Sequence, residues 1–147
     1  MLVVHIHTLQ RHGRKLTTRH LNRFCHRVLS LAAQAPQICF GLGGMAKDSV
    51  LLRSGYLSEQ EFDHLRSRGA VGDVLGRFVD ENGQIVDEDL NARTVGLSLP
   101  QLIDHPCTMA VVAGTEKYHV TKAALRAKYL SILVTDEATA AYLLEET

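Results

Sequence analysis

Residues 107–144, CTMAVVAGTEKYHVTKAALRAKYLSILVTDEATAAYLL, decide the fold. CTMAVVAG is a continuous apolar run, too short for a helix and closed by a glycine, so it reads as a buried strand. TEKYHVTKAALRAK then places Val120, Ala124 and Leu125 on one helical face. SILVTD is a second buried strand, and DEATAAYLLEE a helix capped by Asp136. Upstream, QICFGLGG is a third apolar strand that runs into glycines. Three apolar strands that each feed a helical segment make a β-α-β-α pattern. Such unbroken apolar strands are what a parallel sheet with helices on both faces requires. The expected class is α/β, with a mostly parallel sheet flanked by helices.

The rest of the chain fits around this unit. Leu21, Phe24, Cys25, Val28, Leu29 and Ala32 recur at helical spacing, so about 17–35 reads as an amphipathic helix with Arg19, Arg23 and Arg27 on its solvated side, ended by Pro36. MAKDSVLLRSGYL reads as an irregular connection. In SEQEFDHLRSRG, Ser58 and Glu61 form a capping box, Phe62 and Leu65 an apolar stripe, and Gly69 a C-terminal stop. DVLGRFVDENGQIV reads as a β-hairpin turning at Asn82-Gly83, with Gly76 marking a bulge or a close backbone approach. LSLPQLIDHP is a short helix with Ser98 as cap and Pro100 in its first turn.

The 147 residues, 46% of them hydrophobic, suffice for one domain with a real core. No apolar run approaches the roughly 18–20 residues that cross a bilayer, and MLVVHIHTLQ lacks the features of a signal peptide, so a cytoplasmic protein is expected. Cys25, Cys39 and Cys107 are odd in number and lie in no CxxC pattern; they read as reduced packing residues, with no disulfide framework or structural metal site. The net charge of zero hides a split. Residues 1–47 hold seven Lys or Arg and no acidic residue, while the remainder holds nine basic and all sixteen acidic residues, giving +7 against −7. The basic segment reads as a nucleic-acid arm, as a solvated helix, or as a stretch whose composition the fold of the rest did not shape.

In an α/β sheet, ligands bind beyond the carboxyl ends of the strands, here GLGG (41–44), AGTEK (113–117) and TDEAT (135–139). Gly41, Gly43 and Gly44 would let a sugar or phosphate approach the backbone, or simply form a tight strand exit; they match neither GxGxxG nor a Walker motif. Lys117 stands in the first turn of its helix, the less usual end for a cation, which a ligand phosphate or hydroxyl would explain and a solvated lysine beside Glu116 would equally allow. Asp136 is most simply an N-cap. The sharpest candidate is Asp73 in GAVGDVLGRF (69–78), after Gly72: a carboxylate in an apolar strand is costly to bury without donors, which Arg77, backbone amides or sugar hydroxyls could supply.

LLRSGYLSEQEF, GAVGDVLGRF, VGLSLPQL, VAGTEK and ILVTDEATAAYLL, in that order, resemble the C-terminal part of the sugar-binding effector domain of SorC/DeoR-type bacterial transcriptional regulators, from about Leu31 to Leu144. The resemblance implies a Rossmann-like fold similar to sugar-phosphate isomerases and deaminases, with a β-hairpin excursion, and a phosphorylated sugar as effector. It implies that Asp73 takes ligand hydroxyls, that Lys117 is the basic residue of the later helix, and that Gly41 and Gly43 form the glycine-rich strand end, with Gly72 beside Asp73. No catalytic residue, cofactor or metal is implied. QRHGRKLTTRHLNRFCHRVLS does not match the family, and AGTEKY has Thr115 where the family commonly has a second glycine. The expectation is therefore a basic segment over 1–30 followed by a partial effector domain over 31–147, a truncated regulator without helix-turn-helix or phosphate loop. Such a chain would affect DNA only through a full-length partner and could self-associate through an open sheet edge. The rival readings are a small isomerase-like or deaminase-like enzyme, with Asp73 as general base and Lys117 or a histidine as acid, and a remnant without function.

Overall fold

The computed structural model describes residues 23–145. The start of the first expected helix and most of the 1–30 segment lie outside the described residues. Helix α1 (Arg23–Ala33) leads into strand β1 (Ile38–Phe40), and after Gly41 the chain continues directly as β2 (Leu42–Gly44). Helices α2 (Val50–Arg53) and α3 (Glu59–Ser67) precede the hairpin strands β3 (Gly72–Val74) and β4 (Arg77–Val79). Helices α4 (Glu88–Arg93) and α5 (Leu99–Ile103) return the chain to β5 (Thr108–Val112), α6 (Tyr118–Arg126), β6 (Ile132–Thr135) and α7 (Glu137–Glu145).

Two three-stranded sheets result. The parallel sheet has the order β1-β5-β6, and the antiparallel one β2-β3-β4. Gly41 is the point at which one extended stretch leaves the first sheet and joins the second. The α/β class with a hairpin excursion is as the sequence indicates. The main core lies between the sheets and α6: Phe40, Leu42, Val74, Leu102, Ala110, Val112, Val120 and Ala124 are buried together. A second cluster around Phe62, Leu65 and Phe78 anchors α3 to the hairpin.

Local chemistry accounts for the element ends. The Ser58 hydroxyl accepts from the Glu61 amide at 3.2 Å while the Glu61 carboxylate accepts from the Ser58 amide at 3.0 Å, the reciprocal capping box expected from the sequence. Gly69, at φ +86°, closes α3 with the Gly69 amide donating to Arg66 and the Ala70 amide to Leu65. Helix α6 ends in the same paired pattern, Lys128 to Leu125 and Tyr129 to Ala124, yet Lys128 occupies the left-handed position at φ +60°. An L side chain there costs about 1 kcal/mol. Because Lys128 is exposed, Lys128→Gly is expected to stabilise the chain by about 0.5–1 kcal/mol, read as a higher midpoint in thermal unfolding.

Four expectations are corrected. MAKDSVLLRSGYL is not wholly irregular: Ser49 accepts from the Leu52 amide and starts α2. The hairpin turns at Leu75-Gly76 and not at Asn82-Gly83; both central residues have positive φ, +55° and +79°, as a type I′ turn demands, so Gly76 is a turn residue and not a bulge. The Asn82-Gly83 turn leads only to the single bridge Val79–Ile85. Finally, among the described residues the helices that flank the parallel sheet leave part of one face open. In β5, Thr108, Ala110 and Val112 are buried, whereas Val111 is 51% exposed, and its neighbour Val134 on β6 is 47% exposed. Cys39, read as a packing residue, is exposed at the same open face.

Candidate functional site

The antiparallel register sets Gly43 of β2 opposite Asp73 of β3, and Gly44 opposite Gly72. A methyl group at Gly43 would fall on the Asp73 carboxylate, 2.9 Å from its Cγ, so the missing side chain is what leaves the carboxylate its place. Gly72 serves a different purpose. It is buried, and a methyl group there would meet the carbonyl oxygen of Gly43 and Cγ2 of Val120 at 2.7 Å, so it lets α6 close on the hairpin sheet. Gly44 lies beneath the 3-10 turn Thr115–Lys117, whose Glu116 backbone carbonyl occupies the space that a side chain would need. This approach brings Lys117, at the junction with α6, close enough for its charge to act on Asp73.

Asp73 is half-buried, and its Oδ2 accepts from the Gly76 amide at 2.8 Å. The tight Leu75-Gly76 turn aims that amide back at the carboxylate. Among the described residues no donor reaches Oδ1, which lies along Gly43. Burial pushes the Asp73 carboxyl above its ordinary value of 3.8; the Gly76 amide and then the charge of Lys117 pull it part of the way back. A raised carboxyl binds its proton more tightly in the folded than in the unfolded chain. It therefore adds stability at low pH, and this is lost as pH rises from 3.8 through the raised folded value. Thermal unfolding of Asp73→Asn across that window is expected to give a flatter pH dependence than the parent chain; parallel curves would assign the titration to other groups.

Arg77, a possible donor to Asp73, points elsewhere. It is buried, at 7% exposure, and among the described residues its guanidinium donates to oxygens of the segment 91–97: Nε to the Leu97 carbonyl at 3.0 Å, Nη1 to the carbonyl of Asn91 at 3.1 Å and to its side-chain oxygen, and Nη2 to Gly96 at 3.3 Å and Thr94 at 3.4 Å. Arg77 thus pins the chain after α4 to the base of the hairpin that carries Asp73. Sequence reasoning passed over α4, although Asp87, which accepts from the Leu90 amide at 2.8 Å, followed by Glu88 and Asp89, is an N-terminal signal.

Asp136 is the expected N-cap: Oδ1 accepts from Thr139 at 2.7 Å and Oδ2 from Gly114 at 2.9 Å, which lowers its pKa and ties the exit of β5 to that of β6. Gly43, Asp73 and Lys117 thus come together, with Gly72 packed behind Asp73. Gly41 stands apart at the sheet junction, beside the Val111 carbonyl. No cluster of metal-ligating side chains occurs among the described residues, and no helix there is long and apolar enough to cross a membrane.

Fold and site define an α/β domain of the kind that bacterial transcriptional regulators carry. The family model described as "Putative sugar-binding domain" matches residues 16–145, and the chain belongs to this family, that of the SorC/DeoR-type regulators. It is 32% identical over 125 residues to the deoxyribonucleoside regulator of Bacillus subtilis, covering 85% of this chain and 40% of that one. It is 34% identical over 106 residues to the sorbitol operon regulator of Klebsiella pneumoniae, covering 71% and 33%. Among solved structures it matches a DeoR family regulator from Listeria monocytogenes (TM-score 0.78, 26% identity, 84% of this chain and 50% of that one). It also matches a domain of a possible sugar-binding regulator from Arthrobacter aurescens (TM-score 0.75, 31% identity, 84% and 47%). The chain spans about two-fifths or less of the length of these curated relatives.

Proposed function

We propose that the chain is a non-catalytic carbohydrate-binding module that takes a phosphorylated sugar, with Asp73 accepting hydroxyls and Lys117 offering a positive charge at the same wall. The observation that carries this is the Asp73 carboxylate, held from one side by Gly76, with its second oxygen uncommitted and laid along a strand that lacks a side chain at Gly43. A half-buried acceptor in that state gains more from a hydroxyl donor than one already saturated. Gly43 acts by leaving room for the carboxylate, and Gly72 by holding β3 against α6. Gly41 frees the strand end at the sheet junction.

The regulator relatives support binding coupled to DNA affinity: the ligand favours one arrangement of the effector domain, and a DNA-reading domain registers the shift. The parts described here reach DNA only through such a domain. For an isomerase-like or deaminase-like enzyme, Asp73 would have to serve as base while already committed to Gly76 through one oxygen.

Thermal-shift screening of the chain against hexose and pentose phosphates tests the reading. At a hundredfold excess over Kd a ligand adds about 2.7 kcal/mol, a rise of roughly 5–10 °C for a chain of this size. The rise is expected to vanish in Asp73→Ala and to shrink in Lys117→Ala, with no isomerised or deaminated product formed. Turnover would replace the module with an enzyme, and a shift unaltered in Asp73→Ala would remove the site.

A further inference from the structure

Helix α6 and the turn before it lie along the hairpin sheet on three glycines, each from a different segment. Gly44 of β2 passes under the Glu116 carbonyl, Gly72 of β3 under Val120, and Gly83, in the turn after β4, under Ala127 and the Ala123 carbonyl. Positions 116, 120, 123 and 127 are spaced by three and four, so one side of the helix meets all three. A side chain at any of them would strike it. The added methyl group would lie 2.5 Å from Cβ of Val120 at Gly72, and 3.1 Å from the Ala123 carbonyl at Gly83. Packed helices are locked in place by ridges of side chains set into grooves, and glycines raise no ridge. The three glycines therefore let α6 sit close to the sheet but offer little resistance to a slip along its own axis.

The restraint on that slip is at the far end. Tyr129, 6% exposed, donates its hydroxyl to the Gly83 carbonyl at 2.6 Å. Burial, and then the charge of Asp80, hold the phenol above its ordinary value of 10.0, so it remains a donor through the neutral range. Arg126 adds a longer bond, from Nη1 to the Glu81 carbonyl at 3.5 Å. At the near end, Lys117 stands where α6 begins, and among the described residues it is the side chain whose charge acts on Asp73. A nine-residue helix is a stiff rod about 14 Å long, so a position fixed at one end is handed on to the other.

We propose that Tyr129 is a positioning residue for the sugar site: its bond to Gly83 fixes α6 lengthwise on the hairpin sheet and so sets Lys117 beside Asp73. Use of that pair for sugar rests on the function proposed above. The positioning itself does not, and the two are tested apart.

The test is Tyr129→Phe in the full chain, which keeps the ring and removes the hydroxyl. The Asp73 carboxyl is followed by carbon NMR of chain labelled at aspartate, its signal identified by its loss in Asp73→Asn. In the parent, Lys117→Ala takes away a favourable charge and should raise the Asp73 midpoint. In Tyr129→Phe the midpoint should already be raised, and Lys117→Ala should add less than half of the shift it gives in the parent. Arg126→Ala, at an exposed position, removes the longer bond of the same latch. It should give a smaller shift of the same sign, and it keeps the test open if Tyr129→Phe does not fold. Phe62→Leu loosens the second core cluster, away from α6, and should leave the Asp73 midpoint and its response to Lys117→Ala unchanged. Affinity for the sugar phosphate that shifts the parent most should fall about tenfold in Tyr129→Phe, the worth of one hydrogen bond to a charged group. The parent's Asp73 midpoint in folded Tyr129→Phe, equal effects of Lys117→Ala in both backgrounds, or an undiminished affinity overturns the proposal. So does a Phe62→Leu chain that titrates like Tyr129→Phe. A parent chain that takes no sugar phosphate removes the sugar reading alone, and the titrations still decide the role of Tyr129.

Discussion

Arg77→Met should lower the stability of the chain by about 3 kcal/mol, a fall of roughly 6–12 °C in the unfolding midpoint. The substitution keeps much of the volume and removes every donor. The oxygens of Asn91, Thr94, Gly96 and Leu97 that Arg77 now satisfies would be left around an apolar side chain, and a stranded buried acceptor costs about 1–3 kcal/mol where water cannot replace the donor. Arg77→Lys should recover only part of the loss. An ammonium is a compact charge and cannot divide a planar fork among carbonyls spread over seven residues. Burial also lowers the pKa of Arg77, yet a guanidinium keeps its proton throughout the working range, so the clamp is insensitive to pH. Equal stability of the methionine variant would show that the 91–97 segment is held by other means.

The second large effect is expected from Gly72→Ala, also about 3 kcal/mol, because the added methyl group meets two walls that do not yield. One is the Gly43 carbonyl, part of the β2–β3 ladder; the other is Val120, fully buried on α6, with its Cβ at 2.5 Å and its Cγ2 at 2.7 Å from the new atom. Val120→Ala removes both γ carbons but keeps Cβ and leaves the Gly43 carbonyl in place, so it should not rescue the variant. Chemical denaturation of the single and double variants checks this, and full rescue would place the strain in the side chain and not in the ladder. A variant that folds should also bind sugar phosphate less well, since any displacement of β3 carries Asp73 with it.

How much of this was legible beforehand depends on the distance over which each cause acts. Ser58, Glu61 and Gly69 lie within twelve residues of one another and announce α3; the apolar runs at 107–114 and 131–136 announce β5 and β6 in the same way. The hairpin was legible but its turn was not, because Leu75 adopts a left-handed backbone that ordinary preference assigns to Asn or Gly, and Asn82-Gly83 nearby offered the stronger local signal. The Arg77 clamp is hidden because all but one of its acceptors are backbone oxygens 14–20 residues away, which no side-chain pattern records. Asp73 was recognisable as a carboxylate in need of donors, while the identity of the donor, the Gly76 amide, depended on the turn that was misplaced. The open face was missed for a related reason. An apolar strand reads as covered on both sides whether or not the covering elements are among the described residues.

The central claim is that Asp73, as a carboxylate, receives the hydroxyls of a phosphorylated sugar. Isothermal titration of the chain with the sugar phosphate that gives the largest thermal shift, in two buffers of different protonation heat, tests it most directly. Hydroxyl donors favour the charged form, so binding at a pH within the raised titration range of Asp73 should release a proton. The measured heat should then differ between the buffers, and both the affinity and this difference should be lost in Asp73→Asn. Tight binding with the same heat in both buffers, undiminished in Asp73→Asn, would contradict the account.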